Sequence, residues 1–235
     1  MKTLGLIGGI SWHSTIEYYR YINQEVNDYF GDNTNPPLLL YTLNQSLIHR
    51  FQRESNWEGI AELLIKAANS LELAGAESLM FCANTPHKVY DIVAKKINIP
   101  ILHIADATSK AIQSEGLKRV GFLGTKYTMT EDFIIKRIVD NNIEVIIPKN
   151  EQVLNKLHQI IQKELSYDII TDKSKEFVIS VIESLVDDGA EGIVLGCTEL
   201  PLMIKPYDLQ IPIFNTTKIH AKEGTKFILQ SLQNI

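Results

Sequence analysis

Cysteine is scarce in this chain of 235 residues: there are two, far apart and each at the end of an apolar run. Thiols so placed make no disulfide framework and are too few for a cysteine-rich metal site, so both are expected reduced. Long hydrophobic runs are missing too. No stretch reaches the length of a membrane span, and Met1 to Gly9 enters a strand pattern at once instead of a signal peptide, which places the protein in the cytoplasm. A basic run is also lacking. The 23 Lys and Arg are interspersed with 28 Asp and Glu, for a formal net charge of −5. That leaves no electrostatic footprint for nucleic acid and makes a small molecule the expected partner. Gly5, Gly8, Gly9 and Ser11 mark a tight turn, but without the dinucleotide spacing or a phosphate-binding lysine, so a nucleotide is disfavoured. Among the histidines, His87 and His103 fall near strand ends, and no pair has metal-ligand spacing.

What is present is alternation. Short apolar runs bounded by turn residues occur at Thr3 to Ile7, Leu38 to Thr42, Ser78 to Cys82, Pro100 to Ile104, Arg119 to Leu123, Ile143 to Ile147, Gly192 to Gly196 and Ile211 to Phe214. Helical periodicity fills most of the gaps, which predicts an α/β fold with mainly parallel strands. One helix is expected from the capping box Ser55-x-x-Glu58, carrying Ile60, Leu63, Leu64, Ala67, Ala68 and Leu71 on one face and stopping near Gly75. A second carries Val178, Val181, Ile182 and Leu185 and ends before Gly189. Both stripes read as packing against a sheet.

The two halves echo each other. Lys2-Thr3-Leu4-Gly5-Leu6-Ile7-Gly8 resembles Lys118-Arg119-Val120-Gly121-Phe122-Leu123-Gly124. Gly75-Ala76-Glu77 precedes the run ending Phe81-Cys82-Ala83, as Gly189-Ala190-Glu191 precedes the run ending Leu195-Gly196-Cys197, and Ile99-Pro100-Ile101 answers Ile211-Pro212-Ile213. Three matches in register argue for a duplicated lobe. The expectation is two pseudo-symmetric α/β lobes, residues 1–104 with 214–235 and residues 105–213, each a mainly parallel sheet flanked by helices. Because α/β ligands sit beyond the carboxyl ends of strands, facing lobes would converge their strand-end loops on one cleft.

Several of those loops suit an anion. In Asn84-Thr85-Pro86, Thr85 can cap a helix whose first position suits Pro86, and a helix start offers free N–H groups to a carboxylate. Cys197-Thr198-Glu199 leads into a short helix in the same way. Gly124-Thr125 followed by the capping box Thr128-x-x-Glu131 is a third candidate. Arg50 and Arg53 with Gln52 lie in the loop region after the second strand and could add cationic donors. A cysteine is useful in proton transfer only when its pKa is lowered, as a helix N-terminus with nearby polar groups can do, and Cys197 has Thr198 and Glu199 at hand.

Leu195-Gly196-Cys197-Thr198-Glu199-Leu200, with Gly5-Leu6-Ile7-Gly8-Gly9-Ile10-Ser11-Trp12, Ala83-Asn84-Thr85-Pro86-His87 and Leu123-Gly124-Thr125, resembles the aspartate/glutamate racemase family over essentially the whole chain. The resemblance implies an isomerase that moves the α-proton of an amino acid between two facing cysteines, without pyridoxal phosphate or metal. It further implies that Asn84, Thr85 and Thr198 hold the substrate's carboxylate or amine, with Gly8, Ile10, Gln52, Thr125 and Thr128 lining the site, and that the protein is a homodimer. Side-chain specificity is left to wherever Arg50, Arg53 or Lys163 lie.

The chain departs from the family at one decisive place. The first family cysteine stands immediately before the Asn-Thr pair, and that position is Ala83; the thiol is one residue earlier, at Cys82. On a strand a one-residue offset points a side chain to the opposite face, so Ala83 would face the ligand and Cys82 the core. Three readings follow. An irregular strand end aims Cys82 into the cleft and keeps two-base chemistry; Cys197 works alone or with Thr85, His87 or water; or a single thiol serves a decarboxylase or another epimerase, where one proton donor suffices. A carboxylate-binding protein without catalysis is the alternative from a different class.

Overall fold

The computed structural model describes residues 1–230. In chain order it contains β1 (Leu4–Gly8), α1 (Trp12–Phe30), β2 (Leu38–Thr42), α2 (Gln45–Arg53), α3 (Trp57–Leu73), β3 (Ser78–Phe81), a 3-10 turn (Thr85–Val89), α4 (Tyr90–Ala94), β4 (Ile101–Leu102) and α5 (Ile104–Ser114). There follow β5 (Arg119–Gly124), α6 (Lys126–Thr130), α7 (Asp132–Val139), β6 (Glu144–Ile146), α8 (Glu151–Lys163), a 3-10 turn (Leu165–Tyr167), α9 (Asp172–Asp187), β7 (Ile193–Gly196), α10 (Leu200–Met203), a 3-10 turn (Pro206–Asp208), β8 (Ile213–Asn215) and α11 (Thr216–Leu229). The chain forms two compact units, Met1–His103 with the chain from His220 onward, and Ile104–Ile219. Each holds a four-stranded sheet of the same order, β2-β1-β3-β4 and β6-β5-β7-β8. Every pairing is parallel, so the fold is the α/β arrangement expected, with a strand at each of the eight apolar runs.

In the first unit the strand period of two sorts side chains onto two apolar layers. Leu4, Leu6, Met80 and Cys82 pack with Tyr18 and Ile22 of α1 and with Ala221 and Ile228 of α11. Ile7, Leu79, Phe81 and Ala83 pack on the other side with Ile60, Leu64, Ala67, Ala68 and Leu71 of α3. Burying Ile60 and Leu64 so completely contributes about 1.5–3 kcal/mol each. The second unit has one continuous core, which joins Val178, Val181, Ile182 and Leu185 of α9 with Leu123, Ile193 and Leu195 of the sheet.

The internal repeat has a physical basis at the start of each sheet. Gly75 (φ +97) and Gly189 (φ +98) sit in left-handed conformations that end α3 and α9, so each helix turns directly into the next strand. Two residues on, the Glu77 carboxylate accepts the N–H of Thr3 at 2.7 Å, and the Glu191 carboxylate accepts those of Lys118 and Arg119 at 2.8 and 2.9 Å. Gly5 and Gly121 make room for a side chain of the neighbouring strand: a Cβ at Gly5 would lie 2.6 Å from Leu79 of β3, and one at Gly121 2.6 Å from Ile193 of β7.

Four local expectations differ. Asn56, not Ser55, caps α3, its side-chain oxygen accepting the Gly59 N–H at 2.9 Å, while Ser55 takes a positive φ of 54. Thr125, not Thr128, caps the helix after β5; Thr128 sits inside α6 and donates back to the Thr125 carbonyl at 2.9 Å. Thr85 is not a cap either, because Asn84 precedes a 3-10 turn with no side-chain cap and Thr85 is already inside it. Arg50, Gln52 and Arg53 belong to α2 instead of a loop, because Asn44, two residues after β2 ends, caps a helix.

Candidate active site

The strand-end loops of each unit carry most of the residues singled out above. After β1, the backbone turns at Gly9 (φ +74), where a Cβ would stand 2.1 Å from the Leu43 carbonyl oxygen, so only glycine fits. Thr15 locks this turn: its hydroxyl accepts the Gly9 N–H at 3.0 Å and donates to the Ser11 carbonyl at 2.9 Å. A Cβ at Gly8 would meet the same threonine at 2.4 Å, and Ile10 is buried in the α3-side core. Gln52 of α2 is also buried, whereas Arg50 and Arg53 on the same helix are exposed.

At the end of β3, Ala83 and Asn84 are buried and Thr85 is half-buried. Ser14 of α1 holds this corner by donating to the Cys82 carbonyl at 2.5 Å. No sequence signal separates that serine from an ordinary helix residue; it is identified only by the fold bringing residues 68 apart together. The Asn84 carbonyl accepts the His87 N–H at 3.1 Å and faces His87 Nδ1 at 3.1 Å, so Nδ1 carries the proton. Burial, with His103 and His220 nearby, holds the His87 imidazole well below its ordinary pKa of 6.5. It is a neutral structural group.

Cys82 lies in the core, fully buried among Leu4, Leu6, Tyr18, Met80 and Ala221, and burial pushes its thiol strongly upward. The two-base use of Cys82 does not fit this placement. Strand register explains why. Gly124 pairs with Gly196, and the matching position beside Gly8 is taken by Cys82, whose N–H donates to the Ile7 carbonyl at 2.9 Å. The residue equivalent to Cys197 is therefore Ala83, on the opposite face with Ile7, Ile10 and Val89.

In the second unit, β7 ends at Gly196, where a Cβ would stand 2.1 Å from the Phe122 ring. Cys197 follows, its Sγ donating to Glu199 Oε2 at 2.8 Å, and the Thr198 hydroxyl donates to the same oxygen at 2.7 Å. Cys197 is 6% and Glu199 6% exposed, with Thr198 half-buried. The Cys197 thiol is not lowered as expected: burial first, and the adjacent Glu199 carboxylate second, raise it well above its usual range. The sulfur therefore rests as a thiol whose hydrogen points at a carboxylate. That pair can give the thiol's proton to a carbanion or, once the carboxylate has taken that proton, let the sulfur remove one from a carbon acid. Thr125 and Thr128 stand at the end of β5, next to β7, with their hydroxyls 3.3 Å apart. Lys163 ends α8 on the surface. Among the described residues no group of three or more His, Cys, Asp and Glu could hold a metal ion, and no helix is long and apolar enough to cross a membrane.

Residues 7–224 match the family described as Asp/Glu/Hydantoin racemase. The chain is 21% identical over 224 residues to the broad specificity amino-acid racemase RacX of Bacillus subtilis, covering 93% of this chain and 95% of that one. A Yersinia pestis structure described as a candidate Asp/Glu racemase is 42% identical, with a TM-score of 0.92, over 98% of this chain and 100% of the other. A structure of an aspartate racemase homologue from Pyrococcus horikoshii is 39% identical, with a TM-score of 0.85, over 97% of this chain and 99% of the other.

Proposed function

Because the chain belongs to the Asp/Glu/Hydantoin racemase family, we propose that it inverts the α-carbon of an acidic amino acid without a cofactor, using Cys197 as the proton-carrying group. It is an isomerase of the racemase type. The observation that carries it is the 2.8 Å contact between Cys197 Sγ and Glu199 Oε2 at the end of β7.

An amino-acid α-proton is very weakly acidic, so a thiol must be placed dry beside it and the developing negative charge must meet hydrogen-bond donors. Cys197, Thr198 and Glu199 supply the proton path. Thr198, Asn84 and Thr85 are the donors assigned to the substrate's carboxylate, with Gly8, Ile10, Gln52, Thr125 and Thr128 lining the space around it. Glu199 is the positioning residue for the thiol: it takes the proton when the sulfur must act as a base and returns it when the sulfur must act as an acid. With Ala83 where the family has its other cysteine, the opposite face of the α-carbon is served by water or the Thr85 hydroxyl. The reaction belongs in the cytoplasm, where thiols stay reduced, and a homodimer is the assembly expected.

Proton NMR of L-aspartate, L-glutamate and other L-amino acids incubated with the enzyme in deuterium oxide tests this. Loss of the α-proton signal, abolished by Cys197→Ser and retained in Cys82→Ala, is the expected result. Exchange that survives Cys197→Ser removes that residue from the mechanism, and release of carbon dioxide without inversion replaces racemisation by decarboxylation.

A further inference from the structure

A serine inside a helix ordinarily returns its hydroxyl to the carbonyl four residues back, as Ser70 and Ser109 do here. Ser14, in the first turn of α1, does not. Its hydroxyl leaves the helix and donates to the Cys82 carbonyl at the end of β3, at 2.5 Å, while its own N–H donates to the side chain of the N-cap Ser11 at 3.4 Å. Both ends of the longer-range bond are dry: Ser14 is 2% and Cys82 0% exposed. A buried carbonyl needs a donor, and in a sheet that donor is normally the neighbouring strand.

Strand register identifies the donor that Ser14 replaces. Cys82 gives its N–H to the Ile7 carbonyl at 2.9 Å, so the next rung of a parallel ladder would run from the Gly9 N–H to the Cys82 carbonyl. Instead the Gly9 N–H turns to the Thr15 hydroxyl at 3.0 Å, and Ser14 takes the carbonyl. Consecutive residues of one helix thus substitute for a backbone bond between two strands. The parting is confined to one side of β1: it pairs with β3 as far as Ile7 and Phe81, but with β2 as far as Gly8 and Thr42. In the second sheet the ladder equivalent to β1–β3 runs one pair further, to Gly124 and Gly196.

We propose that Ser14 is a positioning residue for substrate binding. By standing in for the last rung it sets how far the Ala83-Asn84-Thr85 loop is held from the Gly8-Gly9-Ile10 loop, and so where the donors of Asn84 and Thr85 stand. This role rests on the reading above, in which those donors meet the substrate's carboxylate. The loop is anchored on both sides: Ser14 holds the Cys82 carbonyl, and the His87 N–H and Nδ1 hold the Asn84 carbonyl at 3.1 Å each. Removing the Ser14 hydroxyl leaves a buried carbonyl without its donor and frees the strand end to move toward the Gly9 N–H that an uninterrupted ladder would use. The loop's donors then miss the carboxylate in the ground state and the transition state alike, which costs binding and leaves turnover.

Rates of α-deuteration in deuterium oxide, followed by proton NMR over a range of L-aspartate or L-glutamate concentrations, test this. Ser14→Ala, which suits a helix and should fold, is expected to raise KM about 10–100-fold, the worth of one hydrogen bond to a charged group, with kcat little changed. Tyr18→Phe removes another buried hydroxyl bond of α1, to His220 Nδ1 at 2.8 Å, and should lower stability but keep the parent's KM. Alkylation of Cys197 in Ser14→Ala should run at the parent's rate, because that cysteine belongs to the other unit. A Ser14→Ala enzyme with the parent's KM, a loss confined to kcat, an equal rise of KM in Tyr18→Phe, or a changed Cys197 alkylation rate would each overturn the assignment. A parent that exchanges no α-proton of either amino acid instead rejects the proposed reaction on which it stands.

Discussion

Restoring a sulfur at Ala83 tests the one-thiol reading most directly. Ala83 is 8% exposed and packs with Ile7, Ile10 and Val89, so an added Sγ either reaches outward at little cost or is forced inward and overpacks by about 1–3 kcal/mol. The chemical gain is larger. A positioned acid–base group is worth about 10²–10⁴ in rate, or about 2.7–5.4 kcal/mol of barrier. On the one-thiol proposal, Cys197 serves one face of the α-carbon well and water serves the other poorly, so an L-substrate in deuterium oxide should gain deuterium with retention faster than it inverts. Ala83→Cys should raise inversion by about 10²–10⁴ and bring exchange and inversion to similar rates. The assay is paired, with proton NMR for α-deuteration and chiral chromatography for inversion. A parent in which inversion keeps pace with exchange, or a folded Ala83→Cys enzyme whose inversion is unchanged, would refute the reasoning.

Other outcomes follow from the same geometry. Gly9→Ala puts a Cβ 2.1 Å from the Leu43 carbonyl at a φ of +74, so beyond the roughly 1–2 kcal/mol of left-handed strain it must displace backbone; a lowered denaturant midpoint with an unchanged slope is the expected result. Since burial and Glu199 both raise the Cys197 thiol, it stays protonated through neutral pH, and alkylation followed by mass spectrometry should be slow until alkaline pH. Glu199→Gln removes one of the raising causes, so its alkylation profile should move to lower pH; a profile that stays put would deny the coupling. His87 has a depressed pKa in the folded state, so the stability it contributes is full above its unfolded value of 6.5 and is lost as pH falls below it. Thermal melts of the parent should fall from pH 6.5 downward, and His87→Gln should flatten that fall.

Much was legible in the order of residues because the relevant physics is local. Strand and helix periods need only neighbours along the chain, and the spacing of Gly75, Glu77 and Ala83 against Gly189, Glu191 and Cys197 carried the duplication. Strand alternation likewise separates Cys82 from Ala83, since adjacent residues cannot share a face. Caps were harder. Asn56 and Ser55, or Thr125 and Thr128, are equally good acceptors on paper, and the choice depends on which backbone N–H the turn presents.

Contacts between distant residues could not be read at all. Ser14 reaches the Cys82 carbonyl, and Tyr18 the His220 imidazole at 2.8 Å, only because two helices lie on one face of a sheet. The exposed row Trp12, Ile16 and Tyr19 of α1 has the same helical spacing as a core stripe, and sequence periodicity cannot say which of two apolar flanks meets the sheet. Chain order determined which groups exist and how they recur; folding decided which of them are dry, which are paired and which are left facing outward, because burial belongs to what surrounds a residue in space.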